Sequence, residues 1–489
     1  MTVTFRSLAW LFFTSVLLLV TPAAEAVANN TIIQWNSALQ RTIRKLSIAN
    51  QISSRYFGLL HLAQYQALVT NSLQAKADQV AVAAYAGHFI SSYYFPNEQT
   101  NNYDLLIQAQ VAGLSQPQLD AARSVALPVA IALINSRVND TSQQWAQFRF
   151  APNNSVGVYQ PATAAQTAAL YPQLANTTTF ITPLARDWYP QQFAKFNHAV
   201  IGTSQYDLEY QAVKFYGDAN STTSRNSYQQ DTPYFWADDV NTAAITGHWN
   251  NITAFVLPAN VSLLDTAELF AKLQLAFYDG NIQGWFIKYT TLFWRPITAI
   301  RQGDPYHAAV PSWTPLISTP AHPEFPSTHS VTSGAAAAVL ARYFGTDNVT
   351  FTIGSEYPNQ VLAPRTYTSF SAGAIEIANS RVYGGIHFPS SGPVGLSVGA
   401  LSGNYVYENF AKVVPAGGAA SPAGPAIPLT FSDGSFENVG APQPADGVIA
   451  SGPAPVLPTI TLASEASSAP SLPSSAGSAL TPPAVASGR

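Results

Sequence analysis

Apolar residues recur every three or four positions over long parts of this chain, and that spacing is the period of an α-helix. Residues 31–73 carry it over a length that holds one or two amphipathic helices. The same pattern returns in three further segments, Ala75 to Phe95, Leu119 to Asn135 and Leu264 to Leu292. Alternating patterns typical of strands are scarce. The sequence therefore predicts an all-α fold, with a helical-bundle core and long surface loops such as residues 139–184.

The two ends of the chain differ from its middle. Arg6, the apolar run from Leu8 to Val20 and the small-x-small site at Ala24 to Ala26 are typical of a secretory signal peptide. A membrane anchor is the alternative, but the apolar run is short for a span of about 20 residues. Residues 414–489 hold 13 of the 35 prolines. We therefore predict a signal peptide over 1–26, a helical catalytic domain over 27–412 and a disordered tail over 413–489.

Composition narrows the classes of partner. Of the 489 residues only 10% are charged and the net charge is −4, so no basic surface is expected to bind nucleic acid. No membrane contact is expected once the signal is removed. Eight N-x-S/T sites would permit glycosylation of a secreted, extracellular protein. The sequence does not indicate the oligomeric state.

Oxidisable sulfur is missing from the chain after its first residue. There is no cysteine, and Met1 is the only methionine. The fold therefore has no disulfides, and it lacks the two side chains that oxidise most readily. Exposure to an oxidant would select against them. Compositional drift or a scarcity of sulfur explains the same absence, and oxidisable Tyr and Trp remain abundant.

One short motif, FPSTH, is typical of a helix amino terminus that binds an anion. Pro326 suits a first helical position, Ser327 and Thr328 follow it, and an alanine-rich run closed by Gly345 comes after His329. Free N–H groups and the helix dipole favour an oxyanion at such an end. We expect His329 to donate or accept a proton beside it.

Two further motifs supply cations and a second histidine. Lys288 and Arg295 are seven residues apart and would face one way from a buried helix that ends near Pro296. The alternative is that both side chains simply extend from an apolar helix into solvent. Downstream, a glycine pair breaks the helix between Arg381 and His387 and lets both turn to one point, although a histidine at such a turn is often only structural. Together, the three cations, two histidines and a helix end predict a pocket for a tetrahedral oxyanion.

These motifs resemble a known superfamily. Lys288 to Pro296 fits K-x6-R-P, Pro326 to His329 fits P-S-G-H with Thr for Gly, and Ser380 to His387 fits S-R-x5-H. The three signatures are shared by vanadium-dependent haloperoxidases and type 2 phosphatidic acid phosphatases. The flanking sequence looks more like the haloperoxidases, and the resemblance covers most of residues 31–410.

The resemblance implies a vanadate cofactor and a role for each matched residue. His387 would bind vanadium, and His329 would be the acid–base residue. Lys288 would also polarise peroxide. The remaining contacts to the vanadate oxygens would come from Lys288, Arg295, Arg381, Ser327 and the N–H of Thr328. Hydrogen peroxide would then oxidise a halide to hypohalous acid, which reacts with a small organic acceptor.

Two positions depart from the family pattern. Thr328 replaces a glycine, so its branched side chain would crowd the oxyanion and tolerate positive φ poorly. Ser391 stands where the family often has Asp, so the partner that orients a histidine is either missing or supplied elsewhere, with Asp279 and Glu324 as candidates. A non-catalytic secreted oxyanion-binding protein, which has lost catalysis through these two changes, is therefore one alternative. An acid phosphatase on the same scaffold, with His387 as nucleophile, is the other, because the superfamily shares the three signatures.

The halide preference rests on one position. His322 lies five residues before Ser327, where a basic residue resembles bromoperoxidases more than chloroperoxidases. With Trp285 it forms the candidate halide site, and bromide is favoured. The alternative is a surface histidine that only precedes Pro323.

Overall fold

The computed structural model of the protein describes residues 29–142, 154–163, 166, 168–239 and 241–413. The predicted signal peptide and, from residue 414, the predicted tail lie outside the described residues, so the proposed domain division stays a prediction.

Helices dominate the described residues, which confirms the all-α prediction. The first five helices are α1 (Thr31–Leu46), α2 (Asn50–Thr70), α3 (Gln79–Tyr94), α4 (Asp104–Gln110) and α5 (Gln116–Ser136). The next five are α6 (Ala185–Gln192), α7 (Ser204–Tyr216), α8 (Ser227–Phe235), α9 (Ala244–Val256) and α10 (Leu263–Thr291). The last four are α11 (Pro296–Gln302), α12 (Thr328–Phe344), α13 (Phe370–Tyr383) and α14 (Ser391–Val413). Two short strands, β1 (Phe351–Ile353) and β2 (Arg365–Tyr367), pair antiparallel.

Helix α10 forms the centre of the bundle. It has 29 residues and packs against α2 on one side and against α12 and α14 on the other. Ser262 caps its start, and Leu292 ends it in a left-handed conformation. The helix therefore stops at Thr291, four residues before Arg295. The prediction that Lys288 and Arg295 share one helix was wrong.

The long connection before α6 was predicted to be a surface loop, and that was wrong for part of it. Leu174, Phe180 and Ile181 are buried in the bundle. The Asp279 carboxylate on α10 accepts hydrogen bonds of 2.7–2.8 Å from the N–H groups of residues 180–182. These bonds satisfy a buried carboxylate and fix the loop to the core.

Among the described residues, α5 is the one helix that is long and apolar enough, by length and composition alone, to cross a membrane. It also packs within the bundle against α2 and α3.

Glycines bring α12 and α14 into close contact beneath the helix start that was predicted to bind an anion. A Cβ at Gly399 would lie 1.9 Å from the Val331 carbonyl oxygen, and one at Gly395 would lie 2.4 Å from the Ser327 oxygen. Backbone atoms cannot move aside as flexible side chains do. The crossing therefore depends on glycine, and it fixes the position of the α12 amino terminus.

The substitution Gly399→Ala should destabilise the protein because its methyl group would push the two helices apart. We expect a loss of about 1–3 kcal/mol in the free energy of unfolding, or more, measured by urea denaturation. Gly354→Ala is the matched control, since a Cβ there meets no atom within 4 Å. Equal stability of the two variants would contradict this account of the crossing.

Candidate active site

The predicted site residues meet around the amino terminus of α12. They come from the end of α10, the residue before α11, the segment before α12 and the end of α13 with its following loop. His329 is half-buried. The others are buried: Trp285, Lys288, Arg295, His322, Ser327, Thr328, Arg381 and His387.

Arg295 joins three parts of this site. Its Nε donates to the carbonyl oxygen of His322 at 2.9 Å, and its Nη2 lies 3.0 Å from His322 Nδ1. Its Nη1 donates to the Ile386 carbonyl at 2.8 Å and to His387 Nε2 at 3.1 Å. Burial lowers its pKa to about 10, against the opposing effect of Glu324. Because His322 is buried and bonded here, the surface alternative for this histidine was wrong.

Lys288 reaches the same place from the last turn of α10. Its Nζ donates to the carbonyl oxygens of Pro323 and Glu324 at 3.0 and 2.8 Å. An ammonium group has three N–H donors, so one remains for a ligand. Burial and the nearby Arg295 lower the pKa of Lys288, and Glu324 opposes them. A bound anion would offset this cost.

A carboxylate holds His387 in one orientation. Glu324 Oε1 lies 2.7 Å from His387 Nδ1, and the same oxygen accepts from the Phe388 N–H at 2.9 Å. The Ser391 hydroxyl donates to both Glu324 oxygens at 2.7 Å. Because a carboxylate accepts, we assign the proton to Nδ1, which leaves the Nε2 lone pair facing Arg295. Of the two candidate partners, Glu324 is therefore correct and Asp279 is wrong.

The start of α12 differs in detail from its prediction. Ser327 is the N-cap and accepts from the Ser330 N–H, while Thr328 is the first helical residue. Pro326 therefore precedes the helix, after a cis peptide bond with Phe325, rather than occupying its first position. Thr328 has helical dihedrals, so this chain does not need the positive φ that a glycine would permit.

The loop after α8 forms a wall of the site that the sequence did not reveal. Two successive carbonyl oxygens of this loop contact site residues. The Trp236 oxygen lies 3.2 Å from Arg381 Nη1, and the Ala237 oxygen lies 3.2 Å from His329 Nε2. The Trp236 indole donates to the Glu376 carboxylate at 2.8 Å, which anchors the loop to α13. Backbone carbonyls have no sequence signature.

The electrostatics of the site favour an anion. Burial lowers the pKa of His387 and of His329, and the neighbouring cations lower both further. The two histidines are therefore neutral at pH 7, while Arg295 and Arg381, whose pKa values burial lowers only to about 10, keep their positive charge. Arg381 Nε is buried with no hydrogen-bond partner among the described residues. Such an orphaned donor fits an anionic oxygen.

The fold and the site define a helical bundle with a buried cluster of cationic side chains, and the comparisons with known proteins agree. Residues 268–415, which include Lys288, Ser327 and His387, match the family profile described as the VCPO second helical-bundle domain. The vanadium chloroperoxidase of Curvularia inaequalis is 28% identical over 167 residues, which cover 29% of this chain and 27% of that protein. The match thus spans about a quarter of this relative's length.

Two solved structures extend the likeness over most of the fold. A bacterial vanadium-dependent iodoperoxidase superposes with a TM-score of 0.66 at 23% identity, covering 76% of this chain and 94% of its own. A bacterial apo-type vanadium-dependent chloroperoxidase superposes with a TM-score of 0.60 at 18% identity, and the match covers 75% of this chain and 95% of that one. The chain has the vanadium haloperoxidase fold, and the predicted resemblance is confirmed.

The substitution Glu324→Ala should destabilise the protein strongly because it removes the acceptor of three buried donors. We expect a loss of roughly 3–5 kcal/mol in the free energy of unfolding, and a smaller loss for Glu324→Gln, which keeps one carbonyl oxygen. The control is Asp187→Ala, whose exposed pair with Arg186 should contribute about 1 kcal/mol or less. If Glu324→Ala behaved like this control, the carboxylate would not hold the site together.

Proposed function

We propose that this protein is a vanadate-dependent haloperoxidase, which uses hydrogen peroxide to oxidise a halide to hypohalous acid. One observation carries the proposal. His387 Nε2 directs a lone pair at Arg295 within a buried cluster that also holds Lys288 and Arg381, and Glu324 fixes the ring from its other nitrogen. A neutral imidazole nitrogen is a metal ligand, and fixed cations suit the oxygens of an oxyanion.

The residues present fit vanadate. His387 Nε2 would bind the vanadium. The donors to its oxygens would be the third N–H of Lys288, the guanidinium groups of Arg295 and Arg381, the Ser327 hydroxyl and the Thr328 N–H. When bound, vanadate supplies a Lewis acid that activates peroxide without a change in its own oxidation state.

The fixed cations stabilise negative charge on oxygen as it develops. Lys288 and Arg295 are held by carbonyl groups before any ligand arrives, so little reorganisation is needed during the reaction. Lys288 would direct its free N–H at peroxide and polarise it. The low dielectric constant of the buried surroundings strengthens both effects.

His329 would move the proton. Because its Nε2 faces the Ala237 carbonyl oxygen, we assign the proton to Nε2 and the lone pair to Nδ1. The lowered pKa keeps this nitrogen free to accept a proton from incoming hydrogen peroxide. Oxidation of a halide by peroxide to hypohalous acid and water consumes one proton overall, which comes from the solvent. His329 returns the further proton that it took from peroxide.

The halide would approach alongside Trp285 and His322. Their ring centroids are 5.0 Å apart, and the Trp285 indole N–H has no partner among the described residues. The Lys288 ammonium group lies 5.8 Å from the centroid of the Trp285 ring, and an unpaired N–H close to a cation suits a halide ion. We propose bromide as the preferred halide, on the basis of His322. The comparison structures are of an iodoperoxidase and a chloroperoxidase.

The same geometry keeps the acid phosphatase alternative open. His387 Nε2, held by Glu324, is also oriented to attack phosphorus, and His329 would then protonate the leaving group. The signal peptide, secretion and glycosylation remain part of the proposal, and they rest on the sequence.

Titration of the metal-free protein with vanadate, in the presence of bromide, hydrogen peroxide and a phenolic dye, tests the proposal. We expect dye bromination to rise with vanadate and to saturate, and His387→Ala to abolish it. The control is His88→Ala, remote from the site. Hydrolysis of a phosphate ester without bromination would favour the phosphatase. Vanadate binding with neither activity would favour the non-catalytic alternative.

The pH dependence of the same reaction tests the role of His329. An unshifted histidine is half protonated near pH 6.5 and would lose its function as a base there. Because burial lowers the His329 pKa, kcat/KM for peroxide should stay level as pH falls through 6.5 and decline only at more acidic pH. His329→Ala should remove most of the activity. A wild-type decline centred at pH 6.5 would contradict the assignment.

A further inference from the structure

In the part of the chain that the structure describes, the side chains that react fastest with an electrophilic oxidant are absent, buried or half-buried. The chain has no cysteine, and its only methionine is Met1. Every tryptophan in the described part of the chain is buried, and Trp188 is the most accessible of them at 6%. Trp10 and Trp145 lie outside the described residues. All eight histidines are described, and each is buried or half-buried.

Tyrosine is the exception to this pattern. All 23 tyrosines lie in the described residues, and two of them are exposed, Tyr93 at 56% and Tyr306 at 67%. The others are buried or half-buried. The protein surface therefore offers an oxidant two phenol rings.

Both exposed rings are held on one side and open on the other. The Tyr306 ring packs on the backbone of Gly202, where a Cβ would lie 2.7 Å from ring atoms. It borders a surface depression of about 250 Å³, which is also lined by Asp207 and His307. Tyr93, in the last turn of α3, meets the edge of Tyr94 with ring centroids 5.0 Å apart.

The chemistry needs no further reactant. Hypohalous acid carries an electrophilic halogen, and a phenol ring is most nucleophilic at the carbons beside its hydroxyl. A carbon–halogen bond forms there as the halogen–oxygen bond breaks. The ring then loses its proton, which joins the released hydroxide as water. The product is a 3-halotyrosine.

We propose that Tyr93 and Tyr306 are halogenated by the protein's own product during turnover, and that their exposure directs the reaction away from the interior. The proposal rests on the proposed function, which supplies the hypohalous acid. Interior rings are protected in two ways. They are shielded by packing, and burial raises the pKa of tyrosines such as Tyr210, to about 12, which disfavours the more reactive phenolate.

The test has two arms. In the first, metal-free protein receives a limiting amount of hypobromous acid as a reagent. In the second, vanadate-loaded protein turns over bromide and peroxide without an organic acceptor, and omission of bromide is the control. Free methionine is added at the end to reduce N-halogenated lysines. Peptide mass spectrometry then locates the bromine isotope doublet.

We expect bromine at Tyr93 and Tyr306 in both arms, at least about tenfold above the half-buried neighbour Tyr94, because a covered ring reacts only when local opening exposes it. Tyr306→Phe and Tyr93→Phe should each lose the mark at one position and keep the other. Neither residue belongs to the proposed site, so dye bromination should be unchanged in both variants.

The other outcomes separate the two proposals. If the reagent first modified buried tryptophans or half-buried tyrosines, the exposure argument would be overturned. If turnover brominated a dye but left Tyr93 and Tyr306 unmarked, self-halogenation would be overturned and the proposed function would stand. If the reagent marked both residues but turnover produced neither mark nor brominated dye, the proposed function would fail, and self-halogenation with it.

Discussion

The buried carboxylate of Glu324 is the contact on which the arrangement of the site depends. The carboxylate accepts from the His387 ring, the Phe388 N–H and the Ser391 hydroxyl. The backbone carbonyl of Glu324 accepts from Lys288. These bonds tie the segment before α12 to the end of α10, the loop after α13 and the start of α14. A buried acid with these partners is stable, whereas the same acid without them would be costly.

The surrounding fold determines where this carboxylate lies. Gly395 and Gly399 let α14 press against α12, and the Ser327 N–H donates to the Ser391 carbonyl at 3.0 Å, so this contact fixes the start of α12. The loop after α8 closes the opposite side through two carbonyl oxygens. The cationic groups are thus fixed by backbone atoms of different elements. Such a frame holds charge in place without requiring long side chains to reorganise.

The sequence predicted which residues would meet, but not how they are held. The prediction that Lys288 and Arg295 face the same site was correct, because buried cations need an anionic partner. The prediction that they share one helix was wrong, because Leu292 is left-handed and ends α10. The roles of Trp236 and Ala237 were not predictable, since their contacts are made by carbonyl oxygens. Glu324 was only one of two candidates, because a single carboxylate three residues before Ser327 has no distinctive spacing.

The central claim is that His387 Nε2 is oriented to hold an oxyanion among fixed cations. A crystal structure of the protein with vanadate tests it most directly. The account predicts an anion bonded to His387 Nε2 and contacted by Lys288, Arg295 and Arg381, with Glu324 still holding Nδ1. Saturating vanadate that bound elsewhere, while Arg295 kept its contact with His387 Nε2, would contradict the account.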